Sequence, residues 1–208
     1  MLIAFIGAPC SGKTTTAAMV FAALKDAGQL AEFVPEQARV YIAAKKRSVF
    51  HNDNPLALPL WQVPVTLTDF DQKEIARQQS DADSLMISSS GPGTTVVADS
   101  SPLNSLFYMT DGCQDSFANH DQGIIKNAIR DTALFFYVKP IPNQALMDPN
   151  RLHDARFSKE LDDRILPLLT KLCPDALPKI VPLIGHAEER KITALTMYYN
   201  HKYPSSEQ

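Results

Sequence analysis

Cysteine is scarce in this sequence, and the cysteines present are not paired. The three of them, Cys10, Cys113 and Cys173, are odd in number and widely spaced, with no CxxC pair. Disulfide frameworks and zinc sites both need paired or clustered ligands, so this spacing argues against both and favours a reducing compartment. The five histidines show no metal-ligand spacing either.

Long hydrophobic runs and a surplus of positive charge are absent as well. No run reaches the roughly 18 consecutive apolar residues of a membrane span, and the N-terminus lacks the basic leader of a signal peptide. The 208-residue chain has a formal net charge of −3 and a hydrophobic share of 45%. This balance is ordinary for a globular protein and excludes nucleic-acid binding by a chain-wide positive field. We therefore expect a cytoplasmic protein with no membrane partner; its oligomeric state stays open.

What the sequence does contain is a regular alternation of short apolar runs and longer helical patterns. Strands are predicted at residues 2–6, 31–35, 95–98, 133–138 and 180–184. Helices are predicted at residues 13–27, 37–46, 69–88, 102–109, 159–172 and 187–199. Strands that alternate with helices form parallel sheets with right-handed crossovers, so we expect a three-layer α/β fold. The length suits a single domain over residues 1–208.

The first apolar run leads directly into the segment GAPCSGKT, residues 7–14. It matches GxxxxGK followed by Ser or Thr at every fixed position, between a predicted strand and a predicted helix. The glycines permit turns that aim backbone N–H groups at phosphates, and the following helix adds its positive end. We expect Lys13 to reach the β- and γ-phosphates of ATP and the Thr14 hydroxyl to bind Mg²⁺. The predicted nucleotide-binding residues here are Gly7, Pro9, Cys10, Ser11, Gly12, Lys13, Thr14 and Thr15.

Two acids follow the next predicted strands. Asp99 ends the run TTVVAD and, at the carboxyl end of a parallel strand, would face the ligand crevice beside Thr14. We expect it to hold Mg²⁺ directly or through water, because Ser101 already supplies a cap for the next helix. Glu36 has two interpretations that the sequence leaves open. It takes a proton from an attacking hydroxyl, or it forms an ordinary surface pair with Arg39.

Two proline-rich stretches, residues 48–66 and 139–158, fit no regular element. Long irregular segments in a compact domain are often lids or binding loops. The second stretch carries Arg151 and Arg156, which favours a lid that neutralises phosphate charge. For the first stretch, which contains Trp61, a functional loop and an ordinary surface connection stay equally open.

The segments GAPCSGKTT, VPEQARVYI, VVADSSPLNSLFY, NRLHDAR and IVPLIGHAEER, in this order, resemble the kinase-like branch of P-loop proteins. That branch includes the nicotinamide riboside kinase domain and small AAA-like ATP-binding proteins. The resemblance implies a five-stranded parallel sheet in the order 2-3-1-4-5, helices on both faces and a lid. It implies these roles: Glu36, Arg39, Tyr41 and Ser100 on the acceptor side, Asp99 for magnesium or as base, Arg151 and Arg156 as lid cations, and Gly185 and Arg190 at the adenine. The lid sequence, DPNRLHDAR, departs from the pattern of a nicotinamide riboside kinase, so the resemblance does not name the acceptor.

Three functions are compatible with these features. The first is a kinase that phosphorylates a hydroxyl of a nucleoside-like small molecule. The second is a kinase acting on a hydroxymethylated base, such as 5-hydroxymethyluracil, in phage DNA; it would work in the host cytoplasm and use the basic run at residues 44–47, which is otherwise an ordinary helix end. The third is a nucleotide-switch ATPase, although the sequence has no N-K-x-D motif for guanine.

Overall fold

The computed structural model describes residues 1–53, 65–141 and 155–204. The strands are β1 (Leu2–Ile6), β2 (Ala31–Val34), β3 (Thr95–Ala98), β4 (Thr132–Val138) and β5 (Ile180–Leu183). The α-helices are α1 (Lys13–Asp26), α2 (Gln37–Asp53), α3 (Asp69–Ser89), α4 (Pro102–Tyr108), α5 (Asp111–His120), α6 (Gln122–Asp131), α7 (Ala155–Leu172) and α8 (Ala187–Lys202). A 3₁₀-helix, Pro174–Lys179, precedes β5.

The five strands pair in parallel in the order β2-β3-β1-β4-β5. Ile3 of β1 is in register with Val97 of β3 on one side and with Leu134 of β4 on the other. Parallel strands that bury both faces read as continuous apolar runs, as β1 does. The predicted sheet order and the three-layer P-loop NTPase fold are confirmed.

Successive side chains of β1 point to opposite faces of the sheet and enter two different cores. Leu2, Ala4 and Ile6 pack in a cluster with α3, α4, α5, α6 and α7. Ile3 and Phe5 pack in a second cluster with α1 and α8. Helices therefore cover both faces, as predicted, and the carboxyl end of β1 is fixed from both sides.

The predicted element boundaries differ from the structure mainly at helix ends and in one stretch of sequence. Helix α2 continues to Asp53, beyond the predicted end at residue 46, and α7 begins at Ala155. Residues 110–131, to which the sequence pattern assigned no element, contain α5 and α6. The start of α5 depends on a distant residue: Thr110 donates from N and Oγ1 to the carboxylate of Asp69, at 3.0 and 2.6 Å.

Three earlier predictions lie partly or wholly outside the described ranges. Arg151 and Trp61 are not among the described residues, nor is most of the predicted lid. Across the part of the chain that the structure describes, no helix combines the length and the apolar character needed to cross a membrane.

Candidate functional site

The loop between β1 and α1 has a backbone that only certain residues can adopt. Gly7 has a φ of 146° and Gly12 a φ of 92°. A Cβ on Gly7 would lie 2.6 Å from the carbonyl oxygen of Val138, so glycine is required there by space as well as by conformation. Cys10 also adopts a positive φ, of 63°, and contributes backbone to the turn. The loop thus has the tight, glycine-dependent shape that presents N–H groups to an anion.

Lys13 is buried beneath this loop at the start of α1. Its Nζ donates to the carbonyl oxygens of Gly7 and Ala8, both at 2.9 Å, which holds the ammonium across the loop. Burial lowers the pKa of Lys13, while the nearby carboxylates of Glu36 and Asp99 act to raise it. The lysine is therefore a desolvated cation at the place where phosphates would enter.

Asp99 follows β3 and is 3% exposed. Among the described residues its Oδ1 is buried and has no hydrogen-bonding partner. Burial raises the pKa of the Asp99 carboxyl to about 6, while a hydrogen bond from Thr14 acts to lower it. An unpartnered carboxylate oxygen beside a threonine hydroxyl fits a hard, oxygen-binding cation such as Mg²⁺. Among the described residues no group of three or more His, Cys, Asp or Glu side chains suits a metal.

Glu36 and Arg39 form an ion pair that also reaches the loop. Arg39 Nε lies 3.0 Å from Glu36 Oε2, and the same guanidinium donates to Thr14 Oγ1 at 2.9 Å. The Arg39 side chain is 63% exposed, so the pair itself contributes little to stability. The pair of Glu36 with Arg39 is present and connects α2 to the phosphate loop, whereas the role of Glu36 as a base stays a prediction.

The other two residues that the resemblance put on the acceptor side make hydrogen bonds within the protein. The Tyr41 hydroxyl donates to Asp71 Oδ1 at 2.6 Å, and this bond raises the pKa of Tyr41 to about 12. Ser100 is buried and accepts from Asn104 Nδ2 at 2.9 Å, while Asn104 Oδ1 accepts from the N–H of Gly7 at 3.3 Å. Ser100 thus supports the loop through Asn104, a residue that the sequence analysis did not identify.

Arg190 was predicted near the adenine and lies against the phosphate loop. It is 2% exposed, donates from one terminal nitrogen to the Ser11 carbonyl at 2.6 Å, and donates from the other to the Lys139 carbonyl. Gly185 has a φ of 90° and closely contacts Glu189. Arg190 therefore buttresses the loop backbone from α8.

Near the predicted lid, the structure describes the start of α7. The Arg156 side chain is 87% exposed and pairs with Glu160 at 2.8 Å. Ser158, two residues further, donates to the carbonyl of Pro9 in the phosphate loop. Arg156, predicted as a lid cation, thus lies on the same helix end that contacts the loop.

A cavity of about 420 Å³ brings these features together. Its phosphate side consists of residues 9–15 of the loop, and Glu36 and Arg39 also line it. Its acceptor wall, a name used below for the remaining uncharged lining, consists of Ala38, Ile42, Ala43, Leu67, Gln72 and Tyr108. The volume lies within the range of small-molecule sites. The sequence analysis assigned no role to any of these six, although Ala38, Ile42 and Tyr108 lie within the segments VPEQARVYI and VVADSSPLNSLFY.

The basic run at residues 44–47 is not one solvated patch. Lys45 turns towards α3, where its Nζ lies 2.5 Å from Asp71 Oδ2, and Lys46 lines the cavity. Cations committed to intramolecular contacts contribute less to a nucleic-acid surface.

Comparison with known proteins agrees with this fold. A family model described as an AAA domain matches residues 2–190, whereas no curated protein gives a significant match. Two similar solved structures are of NadR protein, one in complex with NAD and AMP-PNP and one in complex with NR, with TM-scores of 0.65 and 0.64 and 17% identity in both. This chain is covered completely and spans about half of those chains, 51% and 53%.

At that identity the structural likeness shows the fold alone. The family match bears out the resemblance to small AAA-like proteins. The family match runs over most of the chain, from β1 to Arg190, the arginine that buttresses the phosphate loop. The chain therefore belongs to the AAA domain family whose model matches residues 2–190.

Proposed function

We propose that this protein is an ATP-dependent kinase that transfers the γ-phosphoryl group to a hydroxyl of a nucleoside-like small molecule. The observation that carries the proposal is the cavity of about 420 Å³, in which a phosphate loop, a carboxylate and the uncharged acceptor wall line the same space. A nucleotide switch does not need such a wall, because its product is a conformational change. A kinase does, because phosphoryl transfer depends on holding two substrates in line.

On the phosphate side, the backbone N–H groups of the loop and the positive end of α1 bind the triphosphate. Lys13 leaves the carbonyls that it contacts at 2.9 Å, and its ammonium stabilises the negative charge on the phosphoryl group that is transferred. Thr14 and Asp99 would hold Mg²⁺, which when bound neutralises charge on the phosphate oxygens. Buried Arg190 keeps the loop backbone in place throughout.

On the acceptor side, Glu36 takes the proton from the attacking hydroxyl. We favour Glu36 over Asp99 as the base because Glu36 lines the cavity, whereas the cavity lining does not include Asp99. Arg39 bridges Glu36 and Thr14 and is placed to turn its fork towards a phosphate oxygen. Arg151 and Arg156 are assigned to a lid that excludes water, so that ATP is not hydrolysed.

The test is to follow labelled phosphate from ATP with Mg²⁺ present. The purified chain is offered a panel of nucleosides, and then unmodified and hydroxymethylated DNA. We expect label in a nucleoside and none with Lys13→Ala. Label only in free phosphate would support the switch ATPase instead, and label only in hydroxymethylated DNA would support the DNA-base kinase.

A further inference from the structure

The acceptor wall contains a buried carboxamide without a hydrogen-bonding partner. Gln72, in the first turn of α3, is 7% exposed and lines the cavity. Its side chain makes no hydrogen bond to another residue in the described ranges. Neither polar atom of this amide is among the fully buried side-chain atoms that lack a partner, so both open to the cavity. The donor and the acceptor are therefore accessible to a ligand that enters the cavity and replaces their contact with water.

The backbone that carries Gln72 is firmly held. Its neighbour Asp71 accepts from Tyr41 Oη at 2.6 Å, from Lys45 Nζ at 2.5 Å, and from Thr68 N and Oγ1, both at 2.7 Å. Two of these donors lie on α2 and two cap α3, so the first turn of α3 is fixed against α2. Gln72 is therefore presented to the cavity from a rigid position, which lowers the entropy lost when a ligand binds.

The chemistry of a carboxamide restricts what it can recognise. Its C=O accepts and its NH₂ donates from adjacent positions in one plane, so it pairs best with a flat edge that has a donor next to an acceptor. The residues around Gln72 in the acceptor wall, including Ile42, Leu67 and Tyr108, offer apolar and aromatic surface for the faces of a ring. The lining thus suits a planar heterocycle, with contacts to its faces and to one edge.

We propose that Gln72 reads the edge of a planar nitrogen heterocycle that carries an N–H beside a C=O, and so selects the base of the phosphoryl acceptor. Naming the ligand as an acceptor rests on the proposed kinase function, whereas the binding itself does not require transfer. Gln72 is a specificity residue in this proposal, since it contacts the ring and not the reacting hydroxyl.

The test compares ligands that differ at the N–H alone. Calorimetry measures binding of uridine and N3-methyluridine, and of inosine and 1-methylinosine, to the full chain saturated with Mg²⁺ and AMP-PNP. In at least one pair we expect the parent to bind about 100-fold or more tightly than its methyl analogue, because methylation removes the donor and leaves the amide oxygen unpaired. Equal binding within both pairs, or no binding of any of the four, overturns the proposal.

Two variants locate the effect. Gln72→Leu keeps the approximate volume of the side chain and removes both polar groups, so we expect its preference within the pair to fall below about 3-fold. Gln78→Leu changes the same residue type on the same helix, where the amide pairs with Glu74 at 2.9 Å outside the cavity, and should keep the parental preference. A Gln72→Leu protein that unfolds at the parental temperature and keeps the full preference contradicts the assignment.

Label transfer, measured on the same samples, separates this inference from the kinase proposal. If uridine or inosine binds with the Gln72 dependence but receives no phosphate, the base site stands and the kinase proposal fails. If the methylated and unmethylated ligands accept phosphate equally well, the kinase proposal stands and the role of Gln72 is wrong.

Discussion

The two sides of the cavity are held in place by different means. On the phosphate side the backbone sets the geometry, because Gly7, Cys10 and Gly12 adopt positive φ angles. Backbone carbonyl oxygens also accept hydrogen bonds from the buried cations, Lys13 and Arg190. On the acceptor side, α2 and α3 are joined through side chains. Asp71 receives donors from α2, and Gln79 Oε1 accepts from the N–H of the first α2 residue at 3.0 Å.

This difference separates what is fixed in the site from what is free to change. The phosphate side can accept many side-chain substitutions but few changes of backbone conformation, because the N–H groups that bind phosphate are present in every residue except proline. A half built by side chains can be altered residue by residue while the nucleotide site is kept. The fold therefore allows the acceptor to vary at constant nucleotide chemistry, and mutations in the two halves should separate the two functions.

The largest effect is expected from Lys13→Ala, which removes the one side-chain cation that the loop motif supplies. We expect kcat/KM to fall about 10³-fold or more, because a desolvated charge aimed at the transferring group is lost. Steady-state transfer kinetics measures it, with Lys25→Ala as the control at the other end of α1. Loss of acceptor affinity with normal turnover would place Lys13 on the wrong side of the cavity.

The next largest effect is expected from Gly7→Ala, which changes the loop through its backbone and removes no functional side chain. A Cβ there would meet the Val138 carbonyl at 2.6 Å, so we expect a loss of about 3 kcal/mol or more in the free energy of unfolding, together with loss of ATP binding. Gly28→Ala is the matched control, since Gly28 also has a positive φ, 72°, but nothing lies within 4 Å of its added Cβ.

Gly28→Ala should cost only roughly 1–2 kcal/mol, the penalty of the left-handed conformation, and leave ATP binding intact. Urea titration gives both stabilities and calorimetry gives the binding. Similar losses for the two variants would mean that conformation, rather than the close approach of Val138, governs the loop.

The difference between the two sides of the cavity also explains which parts of the site could be predicted from the sequence. The phosphate loop was predictable because its geometry is set by eight consecutive residues, and the strands because apolar runs mark buried parallel strands. The start of α5 was not, since its N-cap, Thr110, is held by the carboxylate of Asp69, 41 residues away. Tyr41 has its partner Asp71 30 residues away, and Gln37 has Gln79 42 residues away. Partners so distant leave no local pattern, so the acceptor wall became visible only in the folded chain.

A smaller effect, confined to the acceptor side, is expected from Gln79→Leu. Gln79 is 1% exposed, and its loss leaves the Gln37 N–H and Asp83 without their partner, which should cost about 1–3 kcal/mol in the free energy of unfolding. Because Gln37 directly follows Glu36, we expect the KM for the acceptor to rise while the dissociation constant for ATP is unchanged. A rise in both constants would show that the halves are coupled after all.

The smallest effect on activity is expected from Asp83→Asn, because Asp83 does not line the cavity; the variant should instead gain stability and so tests how the acceptor half is held. Burial raises the pKa of Asp83 to about 7, from an ordinary value near 4, and a hydrogen bond from Gln79 Nε2 at 2.9 Å opposes this rise. The folded state therefore binds the proton more tightly than the unfolded chain. The stability that this provides is complete below about pH 4 and is lost as the pH rises through about 7.

Asparagine keeps the oxygen that accepts from Gln79 and carries no charge at any pH. We expect the variant to match the parent at about pH 3.5 and to exceed its free energy of unfolding by about 4 kcal/mol at pH 8. Asp81→Asn is the control, because Asp81 is an exposed partner of Arg77 and its replacement should change stability by less than about 1 kcal/mol. Asp131, which borders the same crevice as Asp83, is paired with Arg130 in both variants. A gain that is equal at about pH 3.5 and at pH 8 would mean that packing, and not the buried charge, limits the stability of this half.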